Sequence, residues 1–243
     1  MRAAVLSDIH GNLPALEVVL AEIESQQPDA VWCLGDLVGY GPWPNEVTAL
    51  VRDRADVCLV GNHDLVALDA AGVGVEEFNP EAAAAALWTR DELTPDTRAF
   101  LETLSPQASR DGTGLYHASP RDPVWEYVLG GEAAAGAFET VSDSLILVGH
   151  SHVALEFTLD EERLSGDVVG AGTELELTAR HLLNPGSVGQ PRDGDPRAGW
   201  LMLDLDGRRA RFERVEYDVR RTQDEMRGRG LPRPLADRLA VGL

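Results

Sequence analysis

The stretch RAAVLSDIHGN, residues 2–12, joins a short apolar run to two polar side chains that reappear in similar form further along the chain. Residues 2–7 have the apolar character of a buried β-strand, and Asp8 and His10 follow at its end. A helix is predicted over residues 12–26, where apolar side chains recur at helical spacing behind an asparagine cap. The chain therefore begins with a strand, a polar turn and a helix.

Other polar clusters follow short β-like runs in the same way, and five of the six histidines fall within the whole set. The later clusters are Gly35-Asp36, Gly61-Asn62-His63-Asp64, the lone His117, and Gly149-His150-Ser151-His152. A two-metal hydrolytic centre needs several nitrogen and oxygen ligands from separate segments. Together the clusters predict one metal site.

The spacing inside two clusters suggests how their side chains are presented. Alternate residues of an extended segment point to the same side. We therefore expect Asp8 and His10 to project together, and His150 and His152 likewise.

Three clusters follow the first three strands of the chain. The carboxyl ends of parallel strands meet at one edge of an open sheet, so Asp8, Asp36 and Asn62 are expected to lie close together. A carboxylate can bridge two cations, and Asp36 on the central strand suits that role. Oxygen and imidazole ligands together favour Mn, Fe, Co, Ni or Zn.

A plainer interpretation takes the same aspartates and asparagine as cap and turn residues and the histidines as structural groups. Each motif alone is weak, but the ordered set behind apolar runs favours the metal site. His181 lies outside every cluster and is predicted to be structural.

The element pattern predicts an α/β fold. Strands alternate with helices over residues 1–60, as in a mostly parallel, covered sheet. Strand-like runs over residues 114–215 predict a second, more antiparallel sheet, and the tail from Asp218 is predicted to be helical with a break near 230–234. One domain over 1–243 is the better interpretation.

Between these parts lies a predicted helical insertion at about 64–108. Asn79-Pro80 and Thr94-Pro95 each pair a cap with proline at the first helical position. The insertion is expected to pack over one edge of the sheet, and a small lid or a dimer contact is the alternative.

Composition limits the partners. The net charge is −20 and all 21 basic residues are arginine. An acidic surface repels polyanions, which disfavours duplex nucleic acid and leaves small phosphorylated substrates, because a bound metal overrides the distant field. Cys33 and Cys58 lie in apolar runs, and a disulfide between them is the minor alternative. No leader or membrane span is evident, so a cytoplasmic location is predicted.

The ordered clusters resemble the calcineurin-like metallophosphoesterase superfamily, whose signature is D-x-H, G-D, G-N-H-D/E, a separate H and G-H-x-H. The segment Asn184–Gly189 is similar to the compact bacterial phosphodiesterase and phosphatase branch. The resemblance implies a two-sheet β-sandwich flanked by helices in four αββα layers. It also implies two divalent ions, with manganese favoured for activity.

The resemblance further implies a role for each matching residue. One ion would be held by Asp8, His10, Asp36 and His152, and the other by Asp36, Asn62, His117 and His150. His63 would act as proton donor or charge stabiliser, and Asp64 would complete the catalytic residues by orienting its neighbours.

One departure from the superfamily is informative. Its serine/threonine protein phosphatases resemble G-D-x-V-D-R-G at the second motif, whereas residues 35–41 here read GDLVGYG. The second aspartate and the arginine are missing, which argues against a protein phosphatase.

Substrate-binding candidates lie near the motifs. The guanidinium of Arg121 could donate hydrogen bonds to a phosphate of the substrate, or Arg121 could be a loop arginine paired with Asp122. Asn12 could donate to phosphate from a helix start, or act as a plain cap. Arg192 and Arg197 are weaker candidates of the same kind.

Aromatic residues offer a third kind of candidate. Tyr40 and Trp43 could stack on a nucleobase or simply pack, with packing favoured. Trp125 and Tyr127 alternate in a predicted strand and are expected to be sheet residues.

The function predicted from these patterns is metal-dependent hydrolysis of phosphoester bonds through a dinuclear centre and a metal-activated water. Small or nucleotide phosphodiesters are slightly favoured as substrates, and a homo-oligomer is left open. The alternative enzyme is a dinucleoside-polyphosphate or nucleotide phosphatase. The alternative of another class is a non-catalytic binding module with the same fold.

Overall fold

The computed structural model describes residues 1–243, whose twelve strands form two six-stranded sheets. The strands are β1 (Arg2–Leu6), β2 (Ala30–Cys33), β3 (Val57–Cys58), β4 (Gln107–Arg110), β5 (Thr113–Tyr116), β6 (Leu145–Leu147), β7 (Ala154–Asp160), β8 (Arg163–Val168), β9 (Glu174–Glu176), β10 (Arg180–Pro185), β11 (Ala198–Asp204) and β12 (Arg209–Val215).

Eight α-helices surround the sheets. They are α1 (Leu13–Gln26), α2 (Pro44–Arg54), α3 (Asn62–Leu68), α4 (Pro80–Glu92), α5 (Pro95–Leu101), α6 (Gly131–Thr140), α7 (Val219–Gly228) and α8 (Arg233–Asp237). Asn12, Asn79 and Thr94 cap their helices by accepting hydrogen bonds from backbone N–H groups of the first turn, as the sequence predicted. The helical tail with its break after α7 is also confirmed.

The first sheet has the order β3-β2-β1-β11-β12-β9, and the second has the order β4-β5-β6-β10-β7-β8. In the first sheet β1, β2 and β3 run parallel, whereas β11 is antiparallel to β1, with Val5 opposite Leu201. In the second sheet β5, β6 and β10 run parallel. Both sheets are mixed, and the parallel strands of each deliver polar turns to one edge.

Apolar side chains fill three layers. Val5 and Leu147 belong to the core between the two sheets. Leu6 points the other way and packs with α1 and α2, while Ile146 packs with Phe138 of α6. Because both faces of these strands are buried, their sequences are apolar throughout rather than alternating. The α/β sandwich flanked by helices is confirmed.

The predicted division of strands between the sheets is wrong in one respect. Strands β9, β11 and β12 do not join the second sheet but extend the first beyond β1. Residue patterning along a strand indicates which faces are buried, but it does not identify the strand that pairs with it. The chain returns to β1 only after β10, and this long-range pairing left no local signal.

Two helices and one loop also differ from expectation. The motif at Asn62 opens α3 rather than ending a strand, and α6 was not predicted, because it begins at glycines without a side-chain cap. Trp125 and Tyr127 lie in an irregular loop, so the predicted strand there is wrong.

The segment predicted as an insertion contains α4 and α5. Ala82 and Ala85 of α4 pack against Met226, Leu231 and Leu235 of the C-terminal segment. The single domain with an insertion at 64–108 stays a prediction. None of the helices combines the length and apolar character that a membrane crossing requires.

The core between the sheets supports a stability prediction. Leu147 is fully buried there, so Leu147→Ala should lower the free energy of unfolding by about 2–5 kcal/mol, through lost burial and a residual cavity. Leu87→Ala in α4 is the control, since Leu87 is 44% exposed and its truncation should change that free energy by less than about 0.5 kcal/mol. Urea denaturation measures both, and equal losses would contradict the placement of Leu147.

Candidate metal centre

The polar clusters meet at the edge where the parallel strands of both sheets end. Asp8 follows β1 and Asp36 follows β2, both in the first sheet. His117 directly follows β5 and His150 comes after β6, both in the second sheet. The site is therefore built between the sheets, and neither sheet supplies it alone.

The backbone at this edge is not extended. Asp8, His10, Asp36, His150 and His152 have φ values of 55°, 50°, 54°, 64° and 60°, in the left-handed region that costs a residue with a side chain roughly 1–2 kcal/mol. Asp8 and His10 lie in one ligand group as expected, whereas His150 and His152 lie in different groups; tight turns, and not alternation along a strand, direct all four side chains. Five strained residues in one cluster are typical of a functional site.

The first group of candidate ligands comprises Asp8, His10, Asp36 and His152. All four are buried, and each offers one atom within 4.8 Å of the others. The Nε2 atom of His10 lies 3.5 Å from Asp36 Oδ2, and that of His152 lies 3.4 Å from Asp8 Oδ1. The two Nε2 atoms are 3.0 Å apart.

Hydrogen bonds to carbonyl groups determine the tautomer of the His10 and His152 rings. The Nδ1 atom of His10 lies 3.0 Å from the Val38 carbonyl oxygen, and that of His152 lies 2.7 Å from the Gln190 carbonyl oxygen. A carbonyl only accepts, so each Nδ1 donates, and each neutral ring has its lone pair on Nε2. Two lone pairs then face each other, and a cation between them would turn this repulsion into two bonds.

The second group comprises Asp36, His117 and His150, again within 4.8 Å of one another, with Asn62 beside them. His117 donates through Nδ1 to the Leu34 carbonyl oxygen at 2.9 Å, so its Nε2 lone pair faces the Asn62 Oδ1 atom at 3.1 Å. His150 donates through Nε2 to the Trp125 carbonyl oxygen at 3.2 Å, which leaves Nδ1 unprotonated. The donor set fits a second cation.

Asp36 belongs to both groups. Its Oδ2 atom lies 3.5 Å from His10 Nε2 and 3.6 Å from His117 Nε2, is fully buried and accepts no hydrogen bond. Its Oδ1 atom accepts from the His63 backbone N–H at 2.9 Å. A Cβ atom at Gly61 would lie 2.0 Å from Oδ1, so only glycine lets the start of α3 approach this carboxylate.

Burial shifts the titration of these groups. It raises the pKa of Asp8 to about 7 and that of Asp36 well above its usual range. It lowers the pKa of His150 to about 2 and those of His10 and His152 well below the usual range. Neutral imidazoles are the form that binds metal, and bound cations would favour the ionised carboxylates.

His63 lies beside the two groups without belonging to either. Its ring is 4.3 Å from the centre of Tyr40 and stacks on Phe78 at 4.3 Å. The Nδ1 atom is buried without a partner, so Nε2 is the ring nitrogen available to the adjoining cavity. Burial lowers its pKa well below the usual range. Gly39, at φ +85°, makes room, since a Cβ there would lie 2.6 Å from Nδ1.

Asp64 does not touch the cavity. Its Oδ1 atom accepts from the Val38 N–H and its Oδ2 atom from the Gly61 N–H, both at 2.9 Å. The carboxylate thus joins the turn after β2 to the start of α3. Its contacts suit a positioning residue.

A cavity of about 320 Å³ opens beside His63. Its wall combines site residues, aromatic rings and two arginines: Tyr40, Asn62, His63, Glu77, Phe78, Asn79, Ala82, Trp125, Tyr127, Arg192 and Arg238. Tyr127 stacks on His150 at 4.0 Å. Phe78, Trp125, Tyr127 and Arg238 were missed as cavity residues, because nothing in their local sequence indicates that they reach the site.

The structure does not support the substrate-binding prediction for Asn12. Its Nδ2 atom donates to the Gly189 carbonyl oxygen at 2.8 Å and to the Tyr217 hydroxyl at 3.2 Å, and its Oδ1 atom caps α1 and accepts from Thr222. The buried amide has no donor left for a phosphate.

The structure places Arg121 away from the cavity and so does not support its prediction as a substrate-binding residue either. Its guanidinium forms a two-pronged ion pair with Glu126 and lies against Gly136 of α6, outside the residues that line the cavity. Arg192, a weaker candidate from the sequence, does line the cavity, while Arg197 pairs with Asp195.

Comparison with known proteins identifies the family. Residues 1–154 match the model of the calcineurin-like phosphoesterases, whose members normally bind divalent metal ions. The uncharacterized protein MJ0912 of Methanocaldococcus jannaschii is 36% identical over 251 aligned positions, covering 98% of this chain and 97% of that protein.

A solved structure agrees. The crystal structure of a metallophosphoesterase from Sphaerobacter thermophilus superposes with a TM-score of 0.90 at 40% identity, covering 100% of this chain and 99% of that one. A symmetrical bis(5'-nucleosyl)-tetraphosphatase from Aliivibrio salmonicida is 32% identical over 110 residues, which are 44% of this chain and 38% of that enzyme. This last likeness is confined to part of each protein. By its family match and its full-length relatives, the chain belongs to the calcineurin-like phosphoesterases and is a phosphoester hydrolase.

Proposed function

We propose that this enzyme hydrolyses small phosphodiesters or nucleotides at a dinuclear centre. One ion would be held by Asp8, His10, Asp36 and His152, and the other by Asp36, Asn62, His117 and His150. The observation that supports this most is the buried Asp36 carboxylate, whose Oδ2 atom faces a histidine of each group and has no donor. When bound, two adjacent divalent ions supply an activated water and stabilise the charge on attacking and leaving oxygens.

The chain's own residues would orient the substrate and protonate its leaving oxygen. His63 Nε2 is the available nitrogen on the cavity wall, and its hydrogen-bearing tautomer can donate to a phosphoryl or leaving oxygen. An anionic substrate raises the tendency of His63 to take up a proton, because an opposite charge favours the imidazolium. Phe78 stacks on the His63 ring and Tyr40 lies tilted against it, which limits the movement of the ring.

The cavity limits the substrate class. A volume of about 320 Å³ is at the small end of ligand sites, and the net charge of −20 opposes long polyanions.

Manganese is the ion we favour for activity, and the cytoplasm is the location we favour. The alternative of a non-catalytic binding module is disfavoured, because the chain retains His63 and all seven candidate ligand residues.

A dinucleoside-polyphosphate or nucleotide phosphatase is the second candidate. The partial likeness to the tetraphosphatase of Aliivibrio salmonicida favours it. So does the cavity wall, where Phe78, Trp125 and Tyr127 offer faces for a nucleobase.

Asp36→Asn tests the shared ligand. The amide cannot bridge two cations as a carboxylate does, so hydrolysis of bis(p-nitrophenyl) phosphate with Mn²⁺ should fall to background and the bound metal should decrease. Elemental analysis and the release of p-nitrophenol measure the two effects. Asp91→Asn in α4 is the control, since Asp91 is exposed. If Asp36→Asn kept the same activity and the same metal content as this control, the dinuclear proposal would be wrong.

His63→Ala separates proton transfer from metal binding. The variant should retain the metal content of the wild type and lose about 10²–10⁴-fold in kcat, the usual contribution of a general acid. His181→Asn is the control, because His181 lies in β10 outside the residues that line the cavity, and its side chain hydrogen-bonds only Thr158. Wild-type turnover in His63→Ala would remove His63 from the mechanism.

A further inference from the structure

Two arginines lie together on the wall of the cavity. Arg192 and Arg238 both line it, and both face the Tyr40 ring, with their Cζ atoms 5.9 Å and 4.8 Å from its centre. The Arg192 guanidinium donates to the Tyr40 hydroxyl at 3.3 Å and to Gln190 Oε1 at 3.0 Å. Its Nε atom, and Nε and Nη2 of Arg238, are buried without a partner.

These arginines are unusual in so acidic a chain. Neither forms an ion pair, whereas Arg121 pairs with Glu126 and the buried Arg214 pairs with Asp193. Burial, and then the charge of Arg192, lower the pKa of Arg238. Two unpaired guanidinium groups beside one another repel, and an anion between them would relieve this repulsion. Glu77 is the one carboxylate on the cavity wall, and it is exposed.

The arginines are separated from the candidate metal ligands by one aromatic ring. Tyr40 lies 4.7 Å from the ring of His10 and 4.3 Å from that of His63, and the arginines contact it as well. The candidate metal ligands and His63 would serve the phosphate that is attacked, and bound cations would compensate its charge. The arginines are thus placed for a different negative group of the same molecule.

We propose that Arg192 and Arg238 form a subsite for a second phosphate of the substrate, next to the phosphate that is attacked. The enzyme would then prefer compounds with phosphates joined by anhydride bonds over esters with a single phosphate. Water adds to one phosphorus, the P–O bond of the anhydride breaks, and the leaving phosphate keeps the electron pair and is held by the arginines. A proton is released to solvent at neutral pH. This inference rests on the proposed metal-dependent hydrolysis and, within it, favours the second candidate, a dinucleoside-polyphosphate or nucleotide phosphatase, over an enzyme for diesters with a single phosphate.

The test begins with binding, because the arginines need no metal. Calorimetry with inorganic tripolyphosphate on the metal-free full chain should detect binding by the wild type, weakened at least about tenfold (about 1.4 kcal/mol) in Arg238→Gln. Arg233→Gln is the matched control: Arg233 is exposed in α8, outside the cavity, and loses the same charge. Its affinity should stay within about twofold of the wild type, by the small effect of a distant exposed charge.

A second variant guards against misfolding. Should Arg238→Gln melt earlier than Arg233→Gln, Arg238→Lys decides, because it keeps the charge and the apolar stem over Tyr40 and loses only the planar fork. Weaker tripolyphosphate binding in Arg238→Lys supports the subsite. Equal binding by Arg238→Lys and the wild type, equal binding by Arg238→Gln and Arg233→Gln, or no binding by the wild type, overturns it.

Kinetics with the metal-loaded enzyme identifies the bound phosphate as part of the substrate. The ratio of kcat/KM for diadenosine tetraphosphate to that for bis(p-nitrophenyl) phosphate should fall at least about tenfold in Arg238→Gln. Weakened tripolyphosphate binding with an unchanged ratio would make this an anion site that the substrate does not use, and would overturn the proposal. If the wild type hydrolyses neither compound, the proposed function fails, while the binding experiment still decides on the subsite.

Discussion

The buried carboxylate of Asp36 is the constraint around which this edge of the molecule is built. One oxygen is held by a backbone N–H at the start of α3, and the other is enclosed by imidazoles from different segments with no donor in reach. An ionised carboxylate out of water is costly unless a positive charge compensates it. Gly61 has no side chain because any side chain would collide with this group. Divalent cations, which members of this family normally bind, would supply that positive charge.

The same constraint explains why two sheets are needed. The first sheet contributes carboxylates through its parallel strands, and the second contributes His117 and His150. The apolar layer that includes Val5 and Leu147 fixes the distance between these two sets. Core packing therefore acts directly on the spacing of the candidate ligands, although the core lies away from the reacting groups.

The α/β fold and the candidate ligand residues could be predicted from the sequence, because each ligand cluster directly follows an apolar run and the clusters keep a fixed order. The left-handed turns at Asp8 and His150 could not be predicted, since each depends on a hydrogen bond to a residue distant in sequence: the Asp8 N–H donates to the Gly35 carbonyl oxygen, and the His150 N–H donates to the Asp8 carboxylate. Arg121 was chosen for its closeness in sequence to His117, yet Glu126 holds it elsewhere. Arg238 reaches the cavity from the tail, and only the packing of the C-terminal helices against α4 reveals this. The pairing of β11 with β1 could not be predicted either, because nothing in the sequence of a strand identifies a partner so distant along the chain.

The carbonyl groups that hold the imidazoles have a kinetic consequence. The rings of His10, His117 and His152 are held by the carbonyl groups of Val38, Leu34 and Gln190, respectively, without an ion. These side chains would therefore lose little further rotamer entropy when an ion binds. Since the facing lone pairs of His10 and His152 also destabilise the ion-free arrangement, both effects would favour slow release of a bound ion.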